Sequence, residues 1–352
     1  MQTVVVGLSG GVDSSVAAYL LKQQGFKVIG LHMRGENELT QAEDEQRVKA
    51  LCQKLGIECV VVDYKNHMQK VKDYFISEYL SGRTPNPCVI CNKEVKFNPF
   101  IEYMQELGAD YFATGHYAIV EHKGDKHFLK QAIDESKDQS YFLCQLSQQQ
   151  IAKVLFPLGN LSKAEVKQIA QENGLVDSST KESYDICFLG SQKFKDYMQT
   201  NHPEKSGNII DVTTNKVVGT HTGISKYTIG QRKGLNIGGK NGFSADRWFV
   251  VKKDTLKNIL YVSCGECEEM YSTACIVTNF NFITKPSNKF SCNAKVRYHQ
   301  KNLQVEVEEV EPTVVKLTFK EKQKAVTLGQ FAVLYTDDGY CLGGGIINEI
   351  IM

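Results

Sequence analysis

The sequence predicts an α/β amino-terminal domain with a doubly wound parallel sheet, then a small α+β central domain and a carboxyl-terminal β-barrel. Two observations predict this order: strand-like and helix-like runs alternate through the first 115 residues, and β-rich runs dominate after about residue 200. Strands that alternate with helices of about 10–15 residues form parallel sheets. We expect domains at 1–198, 199–272 and 273–352, because 352 residues suffice for two or three domains.

Hydrophobic periodicity places the elements of the first domain in order. Val4–Leu8 is a short apolar run that predicts a buried strand, and Ser14–Gln23 repeats apolar residues at helical spacing up to Gly25. The further predicted strands are Lys27–Met33, Cys59–Asp63 and Asp110–Thr114. The further predicted helices are Glu43–Leu55, Val71–Leu80 and Asn98–Leu107. Ligands of such sheets bind beyond the carboxyl ends of the strands.

The later part of the chain alternates apolar and charged residues. Val305, Val307 and Val310 are interleaved with glutamates, which predicts half-buried antiparallel strands. A change of pattern near residues 271–275 separates the central domain from the terminal barrel.

Composition excludes several protein classes. Hydrophobic residues make up 42% and charged residues 23%, which is typical of a globular protein rather than a disordered one. No apolar run approaches the roughly 20 residues that cross a bilayer, and the amino-terminal run resembles a strand rather than a signal peptide. We therefore expect a cytoplasmic protein with no membrane partner. The net charge of +1 does not by itself demand a nucleic-acid partner.

A loop rich in glycine and serine, GLSGGVDSS, occupies residues 7–15 between the first strand and the first helix. Gly10 and Gly11 let the backbone approach an anion closely, and the N–H groups of the following helix can cradle a phosphate. Asp13 is placed to orient Mg²⁺ or the loop itself. The spacing matches neither the Walker A loop nor the dinucleotide-binding fingerprint. SGGVDS resembles the signature of adenylating ATP pyrophosphatases, which implies cleavage between the α- and β-phosphates of ATP.

Cysteines form a second candidate site. Eleven cysteines favour thiol chemistry or metal binding over a disulfide framework in a chain with no export signal. Pro85 and Pro87 remove backbone donors and predict a loop, on which Cys88 and Cys91 lie at C-x-x-C spacing. Cys187 stands in SYDICFLG, farther along the chain.

Another C-x-x-C pair is formed by Cys264 and Cys267. A zinc ribbon needs two such pairs, and the sequence has no second pair nearby to complete one. This spacing therefore disfavours structural zinc.

Nine motifs together resemble the tRNA-specific 2-thiouridylase family. They run in family order from residue 7 to residue 347: GLSGGVDSS, RTPNPCVICNKEVKF, TGHYA, KDQSYFL, FPLGNLSKAEV, DICFLG, YTIGQRKGLNIGG, KVRYHQ and CLGGGII. The resemblance implies a first domain similar to adenine nucleotide alpha hydrolases. It also implies an ATP-dependent tRNA-uridine 2-sulfurtransferase: O2 of the wobble uridine, in tRNAs for Lys, Glu and Gln, is adenylated and then replaced by sulfur.

The same resemblance implies roles for single residues and for partners. Cys187 matches the cysteine that carries a persulfide, and Cys91 matches the nucleophile that frees sulfide by forming a Cys91–Cys187 disulfide. The implied ATP contacts are Gly7, Leu8, Ser9, Gly10, Gly11, Val12, Asp13, Ser14, Met33 and Gly115, with Mg²⁺ as the metal. The implied tRNA contacts are Asn86, Pro87, Cys88, His116, Lys137, Asp138, Gln139, Arg297, Tyr298 and Gln330. Besides tRNA, the implied partner is a sulfur-carrier or persulfide donor protein.

The chain departs from the family pattern at Cys88, where many members carry an aspartate. A thiol with a pKa near 8.5 replaces an acid/base carboxylate poorly. Three thiolates at one site, from Cys88, Cys91 and Cys187, can hold a [4Fe–4S] cluster and leave one iron open to bind sulfide. The persulfide route and the cluster route therefore both stay open. A smaller departure is Leu328 in AVTLGQ, where the family more often has proline.

Two other functions also stay open. One is an adenylating ATP pyrophosphatase that acts on a small metabolite, against which the β-rich carboxyl-terminal domain argues. The other is a non-catalytic protein that binds RNA or a sulfur carrier, against which Asp13, Cys91 and Cys187 argue.

Overall fold

The computed structural model describes residues 1–34, 38–175, 186–189, 193–237 and 247–352, without the side chains of 38–41, 65–66 and 187. The strands are β1 (Thr3–Gly7), β2 (Lys27–Arg34), β3 (Glu58–Asp63), β4 (Tyr111–Ala113), β5 (Ile119–Lys123), β6 (Lys126–Lys130), β7 (Val154–Leu155), β8 (Gly207–Asp211), β9 (Val217–His221), β10 (Trp248–Asp254), β11 (Ile259–Cys264), β12 (Tyr271–Phe282), β13 (Lys289–Lys295), β14 (Leu303–Glu311), β15 (Val314–Lys324), β16 (Phe331–Tyr335) and β17 (Tyr340–Ile351). The helices are α1 (Val12–Gln23), α2 (Glu38–Leu55), α3 (Lys65–Leu80), α4 (Pro87–Ile90), α5 (Asn98–Glu106), α6 (Gln148–Ile151), α7 (Lys163–Glu172) and α8 (Phe194–Asn201).

The first sheet is parallel, with the strand order β3-β2-β1-β4-β7. Helices cover both faces of this sheet. As a result, successive residues of β1 enter two different apolar cores. Val4 and Val6 pack with α1 and α2, whereas Val5 packs with α5. All three valines are fully buried, as the short apolar run requires of a central parallel strand. The predicted doubly wound α/β domain is confirmed.

Two helices begin earlier than their apolar periodicity predicts. α2 begins at Glu38 rather than Glu43, and α3 begins at Lys65 rather than Val71. Their first turns are polar, so a reading based on apolar spacing does not include them. The core-facing parts of both helices agree with the prediction.

The central sheet has the order β10-β11-β8-β9. β8 pairs in parallel with β11, and the other pairings are antiparallel. Its apolar core contains Ile209, Val250, Leu260 and Val262, all of them fully buried. This arrangement is the small α+β domain expected from the sequence.

The last six strands close into an antiparallel barrel. Their order is β12-β15-β14-β13-β16-β17, and β17 pairs back with β12. Val305 and Val307 of β14 point into the barrel core, as the alternation predicts. Val310 does not follow them: it is 48% exposed, because the register shifts between Glu309 and Glu311.

One part of the barrel sheet comes from the first half of the chain. The hairpin β5–β6 extends the sheet, because β6 pairs antiparallel with β17 through Lys130 and Leu129. A shared core reinforces this pairing, since Phe97 and Tyr141 pack in the same cluster as Phe331 and Tyr335. The barrel is thus built against the amino-terminal parallel-sheet domain. Within the described residues, no helix has the length and apolar character needed to cross a membrane.

Candidate functional site

The loop between β1 and α1 has the geometry of an anion cradle. Gly10 adopts a positive φ of 77°, which a side chain would disfavour. The N-cap of α1 is Gly11, which has no side chain to cap the helix. Ser14 and Ser15 donate their hydroxyls to the Gly11 carbonyl at 3.1 and 2.9 Å. The first N–H groups of α1 therefore have no side-chain cap and are oriented to bind an anion.

Gly115, just past β4, lies directly against this loop. A Cβ atom there would stand 2.7 Å from the Asp13 carbonyl carbon and 2.7 Å from the Ser14 nitrogen. Met33 lies at the carboxyl end of β2, two residues beyond the pairing of Gly7 with Leu31. The predicted ATP contacts from Gly7 to Ser14, Met33 and Gly115 therefore lie at one edge of the parallel sheet.

Asp13 is held by two groups that come from other parts of the chain. The Tyr117 hydroxyl donates to Asp13 Oδ1 at 2.9 Å, and Lys163 Nζ lies 2.6 Å from the same oxygen. Lys163, the first residue of α7, was not predicted as a site residue, although it is the lysine of FPLGNLSKAEV. The loop itself has no lysine, so the cation beside the phosphate cradle arrives from 150 residues away. A lysine there can offset phosphate charge.

The cysteine pair lies on a helix, so the predicted loop is wrong here. α4 begins at Pro87, and a π-helical turn then runs over Cys91–Phe97 into α5. Pro87 occupies the first helical position, where the missing N–H costs nothing and the fixed φ suits the helix. Cys88 is exposed, whereas Cys91 is 7% exposed in an apolar cluster. The loop was predicted because proline breaks helices in their interior, but at the first helical position it favours them.

The segment that leads to this helix is fastened to the barrel. Thr84 N donates to the Leu328 carbonyl at 2.9 Å. Gln330 Nε2 donates to the carbonyls of Thr84 and Pro85 at 2.8 and 3.3 Å. Because Leu328 acts through its carbonyl, the leucine in place of the commoner proline keeps this contact.

A cleft of about 450 Å³ opens where the three regions meet. It is lined by Thr84, Thr228, Arg297, Tyr298, His299, Gln300, Thr327 and Gln330. The structure thus brings together the three tRNA contacts predicted in the barrel. Asn86, Pro87 and Cys88 follow Thr84, a lining residue of this cleft, after one intervening proline, Pro85.

Two of the cleft residues are themselves constrained by protein contacts. Arg297 Nη2 donates to the Ile229 carbonyl at 3.1 Å and to Thr327 Oγ1 at 2.7 Å, and burial lowers its pKa. The Tyr298 ring packs on Phe142 with ring centres 4.3 Å apart. Burial, and then the charges of Asp138 and Cys88, raise the pKa of Tyr298 to about 12. Tyr298 is therefore a neutral aromatic wall near Cys88 at ordinary pH.

The predicted contacts at His116 and at residues 137–139 differ in their surroundings. His116 Nδ1 lies 2.7 Å from Thr114 Oγ1, and burial together with the Lys96 charge lowers its pKa well below 6.5. Lys137 is partly exposed. Asp138 is 3% exposed, and its carboxylate accepts hydrogen bonds from Gln131, Ala132 and Ser140.

Gln139, the last residue of this segment, faces the protein as well. Its Oε1 accepts a hydrogen bond from Tyr117 N at 3.0 Å. The side chains of Asp138 and Gln139 therefore fix the segment in place.

The side chain of Cys187 lies outside the described residues, and so does its predicted disulfide with Cys91. The backbone of Cys187–Leu189 forms a short 3₁₀ turn. Phe188, the next residue, packs against the apolar cluster that contains Cys91, and its ring also meets Phe75 at 5.1 Å. The turn that carries Cys187 is therefore anchored beside Cys91.

Among the side chains that the structure describes, no three or more His, Cys, Asp or Glu are grouped to hold a metal ion. Cys264 ends β11, and Cys267 caps a short 3₁₀ turn. Cys88 and Cys91 provide two of the three thiolates that a cluster would use, and the third, Cys187, is the undescribed one.

Three family models match consecutive parts of the chain. The model described as the tRNA methyl transferase HUP domain matches residues 2–191, the tRNA methyl transferase PRC-barrel domain residues 195–264, and the aminomethyltransferase beta-barrel domain residues 272–347. Among solved structures, the U34-tRNA thiolase NcsA from Methanococcus maripaludis, with its [4Fe-4S] cluster, aligns at a TM-score of 0.36. The identity is 22%, over 57% of this chain and 67% of that one.

Curated relatives match over nearly the full length. The tRNA-specific 2-thiouridylase MnmA of Mycoplasma capricolum subsp. capricolum is 45% identical, over 99% of both chains. The protein of the same name from Lysinibacillus sphaericus is 46% identical, over 99% of this chain and 94% of its own. Together with the phosphate loop, the cysteine helix and the barrel cleft, these matches show that the chain belongs to the tRNA-specific 2-thiouridylase family.

Proposed function

We propose that the protein is an ATP-dependent tRNA-uridine 2-sulfurtransferase that replaces O2 of the wobble uridine, in tRNAs for Lys, Glu and Gln, with sulfur. One observation carries the proposal. The segment from Thr84 to Cys91 is hydrogen-bonded to the barrel at one end, and at the other it packs beside Phe188, the neighbour of Cys187. A base held in the barrel cleft would therefore lie close to both candidate sulfur-handling cysteines.

ATP would bind with its phosphates on the loop of residues 7–15. The N–H groups of α1 and the Lys163 ammonium supply positive charge, and Asp13 would hold Mg²⁺ against the phosphates. O2 of the uridine attacks the α-phosphorus, and pyrophosphate leaves. This step is needed because an amide-like oxygen is a poor leaving group, whereas AMP departs readily when sulfur attacks C2.

The tRNA would lie across the cleft, with its target base turned out of the stack to reach the loop and the cysteines. We propose that Asn86, Pro87 and Cys88 face that base, and that Tyr298 offers an aromatic surface. Four of the predicted contacts would act by holding these elements in place, because their side chains bond to protein groups: Arg297, Gln330, Asp138 and Gln139. His116 and Lys137 would line the path between the ATP loop and the RNA.

Sulfur would arrive from a sulfur-carrier or persulfide donor protein and take one of two routes. In the persulfide route, the Cys91 thiolate attacks the inner sulfur of a Cys187 persulfide. The S–S bond breaks, hydrosulfide leaves for C2, and a Cys91–Cys187 disulfide remains for an external thiol to reduce. In the other route, Cys88, Cys91 and Cys187 hold a [4Fe–4S] cluster, whose open iron would bind sulfide.

The domains that we propose are 1–198 for ATP and catalysis, 199–272 as a central unit, and 273–352 for tRNA contact. The hairpin β5–β6 belongs to the first range by sequence and to the barrel sheet by pairing. The barrel therefore serves both as an RNA-binding surface and as a support for the catalytic segment.

The test is nucleoside mass spectrometry on a tRNA-Glu transcript incubated with anaerobically prepared protein, ATP, Mg²⁺ and either a persulfide donor protein or sulfide. We expect 2-thiouridine with the wild type and none with Cys91→Ser. Cys59→Ser is the matched control, because Cys59 lies at the amino end of β3, at the edge of the sheet opposite the site. Pyrophosphate release without any 2-thiouridine would overturn the proposed substrate.

The same assay separates the two sulfur routes through Cys88→Asp. If the cluster route operates, the wild type binds about four irons per chain and Cys88→Asp loses both iron and activity. If the persulfide route operates, Cys88→Asp stays active without iron when the persulfide donor protein supplies the sulfur, and colourless wild-type protein is fully active under the same conditions.

A further inference from the structure

Tyr117 connects the phosphate loop to the segment proposed to face the RNA. Its hydroxyl donates to Asp13 Oδ1 at 2.9 Å, and its side chain is 2% exposed. The ring packs in the apolar core with Val16 of α1 and Val166 of α7. The ring is therefore held within this core, and its hydroxyl is directed at Asp13.

The backbone of Tyr117 is fixed just as closely. Tyr117 N donates to Gln139 Oε1 at 3.0 Å, and Gln139 N donates to the Tyr117 carbonyl at 2.8 Å. Ser140, the next residue, lies 3.2 Å from the Tyr335 hydroxyl of the barrel through its Oγ. Two residues before Tyr117, Gly115 lies against the Asp13 backbone. Residues 115–117 therefore join the barrel side of the site to the ATP side.

The orientation of the Asp13 carboxylate depends on this arrangement. Lys163 and Tyr117 both bond to Oδ1, and in the described structure no hydrogen bond occupies Oδ2. Mg²⁺ demands nearly ideal octahedral geometry, so a carboxylate that meets it must be held at a fixed angle. Without the tyrosine hydroxyl, Lys163 alone would set that angle.

We propose that Tyr117 is a positioning residue that orients Asp13 toward Mg²⁺–ATP, and that Gln139 couples this orientation to the RNA-facing segment. The inference rests on the proposed function for the identity of the RNA, but not for the ATP contact. Binding of tRNA at residues 137–139 would then tighten ATP binding, and ATP would tighten tRNA binding by the same factor.

The first experiment measures ATP binding by calorimetry, with Mg²⁺ and with EDTA, for the wild type and Tyr117→Phe. We expect Tyr117→Phe to weaken Mg²⁺–ATP binding about tenfold, the effect typical of losing a hydrogen bond to a charged group. Binding of ATP without metal should change by less than about twofold. A general structural defect would instead weaken ATP binding both with and without metal. Tyr111→Phe, a partly exposed tyrosine on β4, is the control and should bind as the wild type does. Equal Mg²⁺–ATP binding by Tyr117→Phe and the wild type would overturn the proposal.

The second experiment measures ATP affinity with and without a tRNA-Glu transcript for Tyr117→Phe, Gln139→Met and the double variant. If Gln139 acts through Tyr117, each single variant loses the enhancement by tRNA, and the double variant is no worse than Tyr117→Phe. Additive losses would overturn the coupling. Failure of the proposed function looks different, since the wild type would then bind Mg²⁺–ATP normally and yet form no 2-thiouridine. A wild type that binds no ATP would overturn both proposals.

Discussion

The substitution Gly115→Ala adds a single methyl group at the contact between β4 and the phosphate loop. The new Cβ would lie 2.7 Å from the Asp13 carbonyl carbon and from Ser14 N, and 3.0 Å from the Asp13 carbonyl oxygen. All three are backbone atoms, so no side-chain rotation relieves the overlap. The loop and the strand end must move apart.

The size of that movement follows from the contact distances. Carbon atoms pack best at about 3.5–4.0 Å, so a distance of 2.7 Å requires a separation of roughly 0.8 Å or more. A misplacement of about 1 Å in a reacting site can cost about 100-fold in rate. We expect Gly115→Ala to weaken ATP binding and slow pyrophosphate release by about 10- to 100-fold, which corresponds to about 1.4–2.8 kcal/mol.

The matched control is Gly25→Ala, at the far end of α1. Gly25 has a positive φ of 87°, and a methyl group added there would have no atom within 4 Å. An alanine there strains the backbone by about 1–2 kcal/mol and lowers stability, yet it stands about 18 Å from the loop along the helix. Calorimetry and thermal unfolding on both variants separate the two effects. Wild-type ATP affinity in a folded Gly115→Ala variant would refute the steric argument.

Two further predictions concern the barrel contact and the half-buried His116. Gln330→Met removes both hydrogen bonds to the Thr84 and Pro85 carbonyls, a loss of about 1–3 kcal/mol in that contact. The rate of thiolation should fall about tenfold or more, while the ATP affinity measured by calorimetry stays that of the wild type. An equal loss of thiolation rate and ATP affinity would contradict this prediction. Because burial keeps His116 neutral below pH 6.5 while the unfolded chain takes up a proton there, the free energy of unfolding should fall as the pH drops from 6.5 to 5. In His116→Gln, denaturant titrations should show a fall in the free energy of unfolding that is smaller by about 1 kcal/mol. If the pH profiles of the variant and the wild type are parallel, His116 is not the cause of the fall.

The spacing of apolar residues predicted much of the fold, because in most elements the buried side chains recur at the period of the helix or strand. The valines of β1 and the alternating Val305 and Val307 give their faces directly, since the pairing there is regular, whereas the register shift after Glu309 takes Val310 out of the pattern. The hairpin β5–β6 was not predicted, because IVEHK and KHFLK are mixed in polarity and their partner strand lies about 210 residues later. Local periodicity contains no information about pairing over that distance.

The candidate site was predictable as a set of motifs, but not as a set of contacts. The phosphate loop could be read from its glycines, because their conformational freedom is a local property. The Lys163–Asp13 pair joins residues that are 150 positions apart, so only the fold reveals it. Asp138 lies in a motif that predicts an RNA contact, and only the fold reveals that its carboxylate is buried and accepts hydrogen bonds from its own loop.

The pairing of β6 with β17 also has a consequence for how the chain matures. During synthesis, β6 is complete after Lys130, whereas its partner residue Tyr340 is added 210 residues later (340 − 130). Until then one edge of the hairpin, and the apolar surface under Phe97 and Tyr141, lack their barrel partners. An unpaired strand edge beside apolar surface favours aggregation. Ribosome-bound or truncated chains that end before the barrel should therefore depend on chaperones, even though the parallel sheet itself is already complete.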